Sequence, residues 1–152
     1  MTVYRIAKTK RIRNLSGIGA RMHGGRWNRK GIGILYTSES RALATVEYIV
    51  HVPLSIAPTD LSIASLEIPA HIIPKVISTS ELPANWYNYP GLSDLAEVGT
   101  NWVLANNSLL LRVPSAVIKH EFNILINPSH PDMSHVTISD VEEFTFDERL
   151  LQ

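Results

Sequence analysis

The sequence contains no cysteine, which excludes disulfides, thiolate nucleophiles and thiolate metal sites. It also lacks an apolar run of the ~18 residues that a membrane span requires, and its basic beginning lacks the apolar segment of a signal peptide. At 152 residues, the chain has the length of one ordinary domain, which can bury about two-thirds of the surface that its unfolded form exposes. We therefore expect a single domain over residues 1–152 that works in the reducing cytoplasm, away from membranes.

The formal net charge is zero, but the charges are unevenly distributed along the chain. The chain has 14 basic and 14 acidic residues, and nine basic residues precede the first acidic one, Glu39. Such a segment favours an anionic ligand, whether nucleotide phosphate, nucleic acid or an acidic partner, although a solvated basic surface explains it equally well. The nine residues are Arg5, Lys8, Lys10, Arg11, Arg13, Arg21, Arg26, Arg29 and Lys30.

A cluster of metal ligands is also missing from the sequence. The chain has six histidines, and the closest pair in sequence is His130 and His135, with Asp132 between them. Proline and serine surround this pair, and the ligand spacings of zinc and other transition-metal sites are not found. We therefore expect no bound metal.

The pattern of apolar residues predicts an α+β fold. Two helices are expected, one from the caps at Ser38–Ser40 to about His51 and one from about Ser93 to Asn106. Several strands follow one another late in the chain, which argues against the strict alternation of a doubly wound sheet. Strands are predicted at 3–6, 33–37, 62–68, 109–113, 123–126 and 136–146.

Two of these segments carry more specific expectations. The strand at 62–68 alternates, with Ala64, Leu66 and Ile68 on one face, so it should be half-buried. Residues 69–90 contain four prolines and should be mostly irregular, because proline interrupts both helices and strand ladders.

A glycine-flanked arginine is the first candidate for binding chemistry. It lies in Gly24-Gly25-Arg26-Trp27-Asn28, where glycine allows close approach of a backbone to a ligand. A guanidinium there can present a planar fork of donors to a phosphate, and the tryptophan can stack on a base or simply pack. The spacing fits neither a P-loop nor GxGxxG, so the segment by itself does not distinguish a ligand loop from a plain turn.

The first predicted helix carries a candidate catalytic carboxylate. Leu43, Val46, Glu47 and Val50 share one helical face, and its apolar members predict that this face turns inward. A buried carboxylate is costly unless it is paired or hydrogen-bonded. Glu47 therefore either pairs with an arginine for stability or serves the chemistry of glycosidic bonds.

Three further polar residues lie near the ends of predicted strands. Tyr36 precedes the first helix and could line one cleft with Glu47, although a core tyrosine is commoner. Ser115 follows Pro114 without a Gly-x-Ser-x-Gly context, so a nucleophile elbow is not indicated. Asn123 opens a strand, and turn chemistry is the simplest explanation for the asparagine at its far end.

Taken in order, five segments resemble the RES domain family. That family is named for an arginine, a glutamate and a serine, which correspond here to Arg26, Glu47 and Ser115. The resemblance runs from Tyr4 to Pro128, and residues 69–90 carry no matching motif. The five segments are residues 24–28 (GGRWN), 35–38 (LYTS), 42–47 (ALATVE), 113–115 (VPS) and 123–128 (NILINP).

The resemblance implies both a fold and a function. The fold would be similar to that of ADP-ribosyltransferases, a curved mixed or antiparallel sheet with a few helices. The function would be that of the toxin in a bacterial RES–Xre toxin–antitoxin module, which consumes NAD by hydrolysis or phosphorolysis or transfers ADP-ribose to a protein. An Xre-type DNA-binding antitoxin would block the active site, so that DNA is met only through the antitoxin, and a homodimer is compatible with the family.

On this interpretation, each candidate residue has a role toward NAD as substrate. Glu47 would stabilise the positive charge that develops on the ribose when the nicotinamide–ribose bond breaks. Arg26 would hold the pyrophosphate, Tyr36 would flank the nicotinamide, and Ser115 would orient the substrate or another side chain. The expected catalytic residues are Arg26, Glu47 and Ser115, and the expected NAD-binding residues are Arg26, Trp27, Tyr36 and Asn123.

Two other classes of function stay open on the sequence alone. One is an RNA-directed toxin that uses the basic N-terminal segment and Trp27, for which RNA binding should depend steeply on salt. The other is an interaction domain in which Arg26 and Glu47 form a buried ion pair. Removing either partner of such a pair should cost several kcal/mol of stability.

Overall fold

The protein is described by a computed structural model that covers residues 1–53 and 55–152. Its strands are β1 (Thr2–Lys8), β2 (Leu35–Ser38), β3 (Leu61–Glu67), β4 (Lys75–Val76), β5 (Leu110–Pro114), β6 (Phe122–Ile126) and β7 (Thr137–Phe144). Its α-helices are α1 (Ile18–His23), α2 (Arg41–Ile49) and α3 (Ser93–Ala105). The strands form one seven-stranded sheet in the order β4-β5-β6-β2-β1-β3-β7. Neighbouring strands are antiparallel except for the parallel β4–β5 pair, so the predicted α+β class with a mixed sheet is confirmed.

The sheet is buried on both faces at its centre. In β6, Ile124 and Ile126 belong to one apolar cluster, whereas Leu125 between them belongs to a second. In β5, Leu110 lies in the first cluster and Leu111 in the second. Because successive strand residues point to opposite faces, these continuous apolar runs place one core on each side of the sheet.

The expected half-burial of the strand at 62–68 is wrong. The strand spans Leu61–Glu67, and every residue in it except Glu67 is buried. It pairs with β1 on one side and β7 on the other. Its second face, which carries Leu61, Ile63 and Ser65, is buried as well. Alternation marked the apolar face correctly, but serine on the other face does not require contact with water.

A third helix, α1, was not predicted. It begins after Gly17 at φ 70° and ends at Gly24 at φ 72°, so glycines in left-handed or extended conformations flank it at both ends. Gly17 is also required sterically, since a Cβ there would lie 2.8 Å from the backbone of Ile34. These glycines indicated turns, and the six residues between them were too few to show helical periodicity.

Helix α2 agrees with prediction at its start and differs in its exposure. Ser40 caps it by accepting a 3.0 Å hydrogen bond from the amide of Leu43, and it ends at Ile49 rather than His51. The expectation that the whole face turns inward is wrong for Val50, whose side chain is 51% exposed. On this face, Leu43 is buried in the protein, whereas Glu47 lines the wall of a cleft.

The remaining elements lie close to their predicted positions. Residues 69–90 are mostly irregular, as predicted, apart from β4 and a short 3-10 turn at Thr79–Glu81. Helix α3 ends at Ala105, and Asn106 caps it with φ 54°. Among residues 1–53 and 55–152, no helix has both the length and the apolar character needed to cross a membrane.

Candidate active site

The Gly24–Asn28 segment forms a tight turn that points its two central side chains in different directions. The amide of Gly25 donates to the carbonyl of Asn28 over 3.0 Å, and the amide of Asn28 donates back to Gly25. Trp27 is 3% exposed and packs in the core beside α3. Arg26 lies instead on the wall of a cleft. The turn is therefore anchored by the tryptophan and places Arg26 at the cleft.

The Tyr36 side chain holds this turn in place. Its hydroxyl accepts a 3.1 Å hydrogen bond from the amide of Trp27 and donates to Oδ1 of Asn28 over 2.6 Å. Nδ2 of Asn28 donates in turn to the carbonyls of Ala20 and Ile32, at 2.8 and 3.0 Å. Burial raises the pKa of Tyr36 well above its usual range, so the hydroxyl stays protonated. The hydroxyl thus acts both as an acceptor and as a donor within the turn, while Tyr36 also lines the cleft.

Helix α3 fixes the turn from its other side. Gly99 approaches so closely that a Cβ there would lie 1.8 Å from the carbonyl oxygen of Trp27. The hydroxyl of Thr100 accepts a 3.1 Å hydrogen bond from the amide of Arg29, and the Arg29 guanidinium pairs with Glu97 over 2.9 Å. The backbone that carries Arg26 is therefore clamped between the sheet and a helix.

Arg26 also binds a segment for which the sequence offered no motif. Its Nη1 donates to the carbonyls of Trp86 and Asn88, at 2.9 and 3.1 Å. We name residues 86–91 the strap. Tyr87 and Tyr89 of the strap line the same cleft as Arg26 and are largely exposed. One guanidinium nitrogen thus holds the strap beside the cleft.

The electrostatic setting of Arg26 favours an anionic ligand. Burial lowers the pKa of its guanidinium, and the negative charge of Glu47 partly opposes this effect. A guanidinium keeps its charge at neutral pH even so. Among the described residues, no carboxylate forms an ion pair with Arg26. The alternative in which Arg26 and Glu47 form a buried ion pair therefore finds no support in this structure.

The Glu47 carboxylate is held at one oxygen. Its Oε1 accepts hydrogen bonds from Oγ of Ser115 at 2.7 Å and from Nδ2 of Asn123 at 2.6 Å. Oγ of Ser38 donates to Oδ1 of Asn123 over 2.7 Å, which orients the amide so that its nitrogen faces the carboxylate. Within the part of the chain that the structure describes, these bonds end on Oε1, and Oε2 has no protein donor. One carboxylate oxygen is therefore positioned and the other is free to act.

The geometry makes Ser115 an orienting residue rather than a nucleophile. Its Oγ accepts hydrogen bonds from the amides of Val117 and Ile118, at 3.1 and 3.0 Å. A hydroxyl has two acceptor lone pairs and one hydrogen, so with both pairs engaged its hydrogen points to Glu47. Ser115 is 4% exposed and lies behind the wall of the cleft.

The cleft has a volume of about 860 Å³, near the upper end of the roughly 300–1,000 Å³ typical of ligand sites. It brings together Arg26, Tyr36, Glu47 and Asn123, which the sequence singled out separately. Trp27 contributes only a small part of its surface because its ring packs in the core. The candidate residues thus surround one cavity, with Ser115 directly behind it.

Sequence reasoning missed Ser38 and the two strap tyrosines as site residues. The sequence indicates Ser38 as a possible helix cap and as the last residue of the LYTS segment, but gives it no role in the site. Its proximity to Asn123 arises because the two residues are paired in the β2–β6 ladder. That register is a long-range property that no local pattern reveals. Tyr87 and Tyr89 lie in a proline-rich segment without periodicity. Their aromatic side chains are therefore the only signal in the sequence that could have identified them as site residues.

The arrangement suits the cleavage of a glycosidic bond in an anionic substrate. An ionised carboxylate with one free oxygen can stabilise positive charge on a sugar, and a guanidinium beside it can bind phosphate. In the described ranges, 1–53 and 55–152, no group of three or more histidine, aspartate or glutamate side chains is placed to hold a metal ion.

Comparison with known proteins places this geometry in a family. The RES domain model matches residues 2–147. The "Prs ADP-ribosylating toxin" of Sphingobium sp. (strain YBL2) is 34% identical over 148 residues, which cover 96% of this chain and 92% of the relative. The "Toxin Res" of Photorhabdus laumondii is 35% identical over 156 residues, covering 100% and 98%.

A solved structure shows the same fold at lower sequence similarity. The toxin–antitoxin complex MbcT–MbcA of M. tuberculosis contains a chain that superposes with a TM-score of 0.76 at 18% identity, covering 99% of this chain and 86% of that one. The α+β fold with a mixed sheet that the resemblance implies is confirmed. The family match over nearly the full length confirms the resemblance itself, and the chain belongs to the RES domain family.

Proposed function

We propose that this protein is the toxin of a toxin–antitoxin module and that it binds NAD and breaks the nicotinamide–ribose bond. The observation that carries the proposal is the Glu47 carboxylate, which lies on a dinucleotide-sized cleft with Oε1 held by two donors and Oε2 free. Arg26 lines the same cleft and supplies positive charge. The family and the names of its relatives point to the same chemistry.

The carboxylate acts on the transition state more than on bound NAD. Positive charge grows on the ribose as the bond to nicotinamide lengthens, so a fixed negative charge nearby stabilises the transition state more than the ground state. Nicotinamide leaves as a neutral molecule, and the reaction therefore needs no general acid. This explains why one carboxylate, Glu47, is sufficient in this cleft.

Arg26 and its neighbours supply binding. The Nη1 atom of Arg26 is engaged with the strap, and its remaining nitrogens can donate to the pyrophosphate. The ring of Tyr36 lines the cleft and flanks the nicotinamide, while the turn that it holds positions Arg26. Trp27 shapes the wall from the core, and Asn123 serves chiefly by orienting Glu47.

The acceptor of the ADP-ribose is water, phosphate or a protein side chain. Transfer to a protein is the second candidate activity, and the relative named "Prs ADP-ribosylating toxin" at 34% identity favours it. Both activities share the first step, in which nicotinamide is released. They differ only in what then bonds to the anomeric carbon.

The proposed partner is a cognate antitoxin that blocks the cleft. Relatives from Photorhabdus laumondii and Yersinia enterocolitica are named "Toxin Res", and the structural neighbour comes from a toxin–antitoxin complex. We propose an antitoxin of the Xre type, contact with DNA only through that partner, a cytoplasmic site of action and a homodimer in the absence of the partner. A single functional domain over residues 1–152 is part of the same proposal.

The test is release of nicotinamide from NAD by the purified protein, followed by NMR with and without phosphate. We expect release in the wild type and a loss of at least about 100-fold in Glu47→Gln, because glutamine keeps the Oε1 acceptor for Ser115 and Asn123 but removes the charge. Glu143→Gln, which changes an exposed carboxylate on β7, is the matched control and should keep full activity.

Each outcome of this experiment discriminates between functions. Dependence of the rate on phosphate identifies phosphorolysis, and independence from phosphate identifies hydrolysis. Full activity in Glu47→Gln would contradict the assignment of Glu47 as the catalytic carboxylate. Absence of nicotinamide release in the wild type, together with RNA binding that weakens steeply with salt, would shift the function to the RNA-directed alternative.

A further inference from the structure

The two tyrosines of the strap are exposed, although the segment that carries them is firmly held. Tyr87 and Tyr89 are 55% and 84% exposed, and both line the cleft that contains Arg26. The backbone of the strap is fixed by Nη1 of Arg26, which donates to the carbonyls of Trp86 and Asn88 at 2.9 and 3.1 Å. The Trp86 side chain packs against the apolar cluster beside α3. These contacts hold the strap without burying the tyrosine rings, whose surface is therefore available to a ligand.

The carboxylate, the guanidinium and the strap follow one another along the cleft. Glu47 borders both the part of the cleft that contains Arg26 and the continuation of the cleft between α2 and β1. Arg26, Tyr87 and Tyr89 line the first part and do not line the continuation. Because the strap is bonded to Arg26, a ligand that extends from Glu47 past Arg26 reaches the tyrosines.

The parts of NAD come in the same order. Its nicotinamide ribose is joined through the pyrophosphate to adenosine, so the adenosine lies at the strap when the ribose is at Glu47 and the pyrophosphate is at Arg26. We propose that the strap is the purine-binding part of the cleft, in which the rings of Tyr87 and Tyr89 stack on the adenine of NAD. This inference rests on the proposed NAD-cleaving function, and it adds the residues that select a dinucleotide over a mononucleotide.

The lining favours contact with the face of the base rather than with its edge. Of the strap residues, all of which the structure describes, Tyr87, Tyr89 and Gly91 line the cleft. Glycine has no side chain, so the two rings are the side-chain surface that the strap offers to a ligand. Aromatic rings stack on the π-face of any base, and a tyrosine hydroxyl can either donate or accept a hydrogen bond. The strap is therefore suited to purines as a class, to hypoxanthine as well as to adenine.

The two halves of NAD separate this use of the rings from two others. AMP contains the adenine, nicotinamide mononucleotide (NMN) contains the nicotinamide, and each has one phosphate. Loss of stacking on adenine weakens the binding of AMP alone, whereas loss of stacking on nicotinamide weakens the binding of NMN alone. A strap that only positions Arg26 affects both, because the guanidinium binds the phosphate of either mononucleotide.

The test compares two double variants of the strap. Tyr87→Leu with Tyr89→Leu removes both rings, and Tyr87→Phe with Tyr89→Phe keeps the rings without their hydroxyls. Ile73→Ser, which changes a residue that is 74% exposed and does not line the cleft, is the control. For each protein, nicotinamide release followed by NMR gives kcat and KM for NAD and the inhibition constants of AMP and IMP. NMN is measured by its KM if it is cleaved and by its inhibition constant if it only competes.

We expect the leucine double variant to raise the KM for NAD and the inhibition constant of AMP by about tenfold or more. Its kcat and its constant for NMN should stay within about twofold of the wild-type values, because a contact that is equal in the ground state and the transition state acts on KM. The phenylalanine double variant and Ile73→Ser should resemble the wild type in all of these constants. IMP, which carries hypoxanthine, should compete with NAD to within about threefold of AMP.

Several results would overturn the inference. An unchanged KM for NAD in the leucine double variant, or AMP that does not compete with NAD, would show that the strap does not bind the base. An equal rise for AMP and NMN would make the strap a support for Arg26. Failure of IMP to compete would assign recognition to the edge of the base, and equal losses in the leucine and phenylalanine double variants would assign it to the hydroxyls.

Failure of the proposed function gives a different result. A wild type that releases no nicotinamide from NAD contradicts the proposed function. Titration calorimetry of the same variants with AMP and NMN then tests the strap directly, and equal affinity for AMP in the wild type and the leucine double variant would overturn the inference.

Discussion

The two oxygens of the Glu47 carboxylate have different environments. Oε1 accepts from Ser115 and Asn123, and Ser38 orients Asn123 from behind. A carboxylate held in this way keeps one rotamer, so its free oxygen returns to the same position after each turnover. Preorganisation of this kind is what separates a catalytic carboxylate from a carboxylate that merely lines a cavity.

Ser38 is therefore expected to act as a positioning residue. Ser38→Ala leaves Oδ1 of Asn123 without its donor and frees the amide to rotate, so kcat for nicotinamide release should fall about five- to tenfold, or about 1 to 1.4 kcal/mol. The KM for NAD should not change, because Ser38 does not line the cleft that contains Arg26. Steady-state kinetics of the wild type and the variant measure both quantities.

Rescue by a conservative substitution is the control for Ser38. Ser38→Thr keeps a hydroxyl at the same position and should recover most of kcat. Equal loss of kcat in the alanine and threonine variants would mean that packing around Ser38, and not the hydrogen bond to Asn123, supports Glu47.

Helix α3 and the Gly24–Asn28 turn depend on each other. The contact at Gly99 leaves no room for a side chain, and the bond between Thr100 and the amide of Arg29 closes the other end of the turn. The strap adds a third contact through the Nη1 atom of Arg26. Displacement of any one of these elements therefore moves the guanidinium.

Substitution at Gly99 should thus affect both stability and binding. In Gly99→Ala the new Cβ would lie 1.8 Å from the Trp27 carbonyl oxygen, so α3 and the turn must separate, at a cost of about 1–3 kcal/mol of unfolding free energy. The affinity for NAD should fall as well, because Arg26 adjoins Trp27. Urea unfolding and NAD titration measure the two effects.

Gly19→Ala is the matched control for this substitution. Gly19 lies in α1, and a Cβ there would meet no atom within 4 Å. Alanine should raise stability by up to about 1 kcal/mol, since glycine is the weaker helix former. A Gly99→Ala protein as stable as the wild type would show that α3 can shift without cost.

The sheet separates two cores, and its elements were more predictable than this layering. Apolar runs such as Ile124–Ile126 predicted strands, and caps and periodicity predicted helices α2 and α3. Helix α1 was not predicted, because the glycines at its ends indicated turns. The exposure of Val50 was not predicted either, because an apolar helical face does not show whether it packs in a core or borders a cleft.

The sequence predicted which residues belong to the candidate site, but not the hydrogen bonds between them. Arg26, Glu47, Ser115 and Asn123 were all identified from local motifs and from the family resemblance. The hydrogen bonds that join Glu47 to the β-strand residues depend on strand register, which arises from long-range pairing. For this reason Ser38 could not be identified from its neighbours in sequence.

The stability of the fold should depend on pH through Tyr36. Burial raises the pKa of this tyrosine in the fold, so the native state keeps its proton above pH ~10, where the unfolded chain loses it. The contribution is fully present below pH ~10 and is lost as the pH rises. Burial also raises the pKa of Tyr48, which acts in the same direction.

Tyr36→Phe should therefore make the decline of stability above pH ~10 shallower. At neutral pH the same variant should lose about 1–3 kcal/mol, because Asn28 and the amide of Trp27 lose a hydrogen-bond partner. Urea unfolding between pH 8 and 11 gives both quantities. An identical slope in wild type and variant would show that the Tyr36 hydroxyl titrates alike in both states.

The sequence separation within the Glu47 network has a consequence for protein synthesis. Glu47 lies 68 residues before Ser115 and 76 residues before Asn123, and Ser38 lies 85 residues before Asn123. Domains are completed on the ribosome from the N-terminus onward, so the carboxylate is made early but is held only after β6 has emerged and paired with β2. A nascent chain that stalls before residue 123 thus contains the reactive group without its support. Any chemistry that depends on a positioned Glu47 is therefore expected only after β6 has been made and has paired with β2.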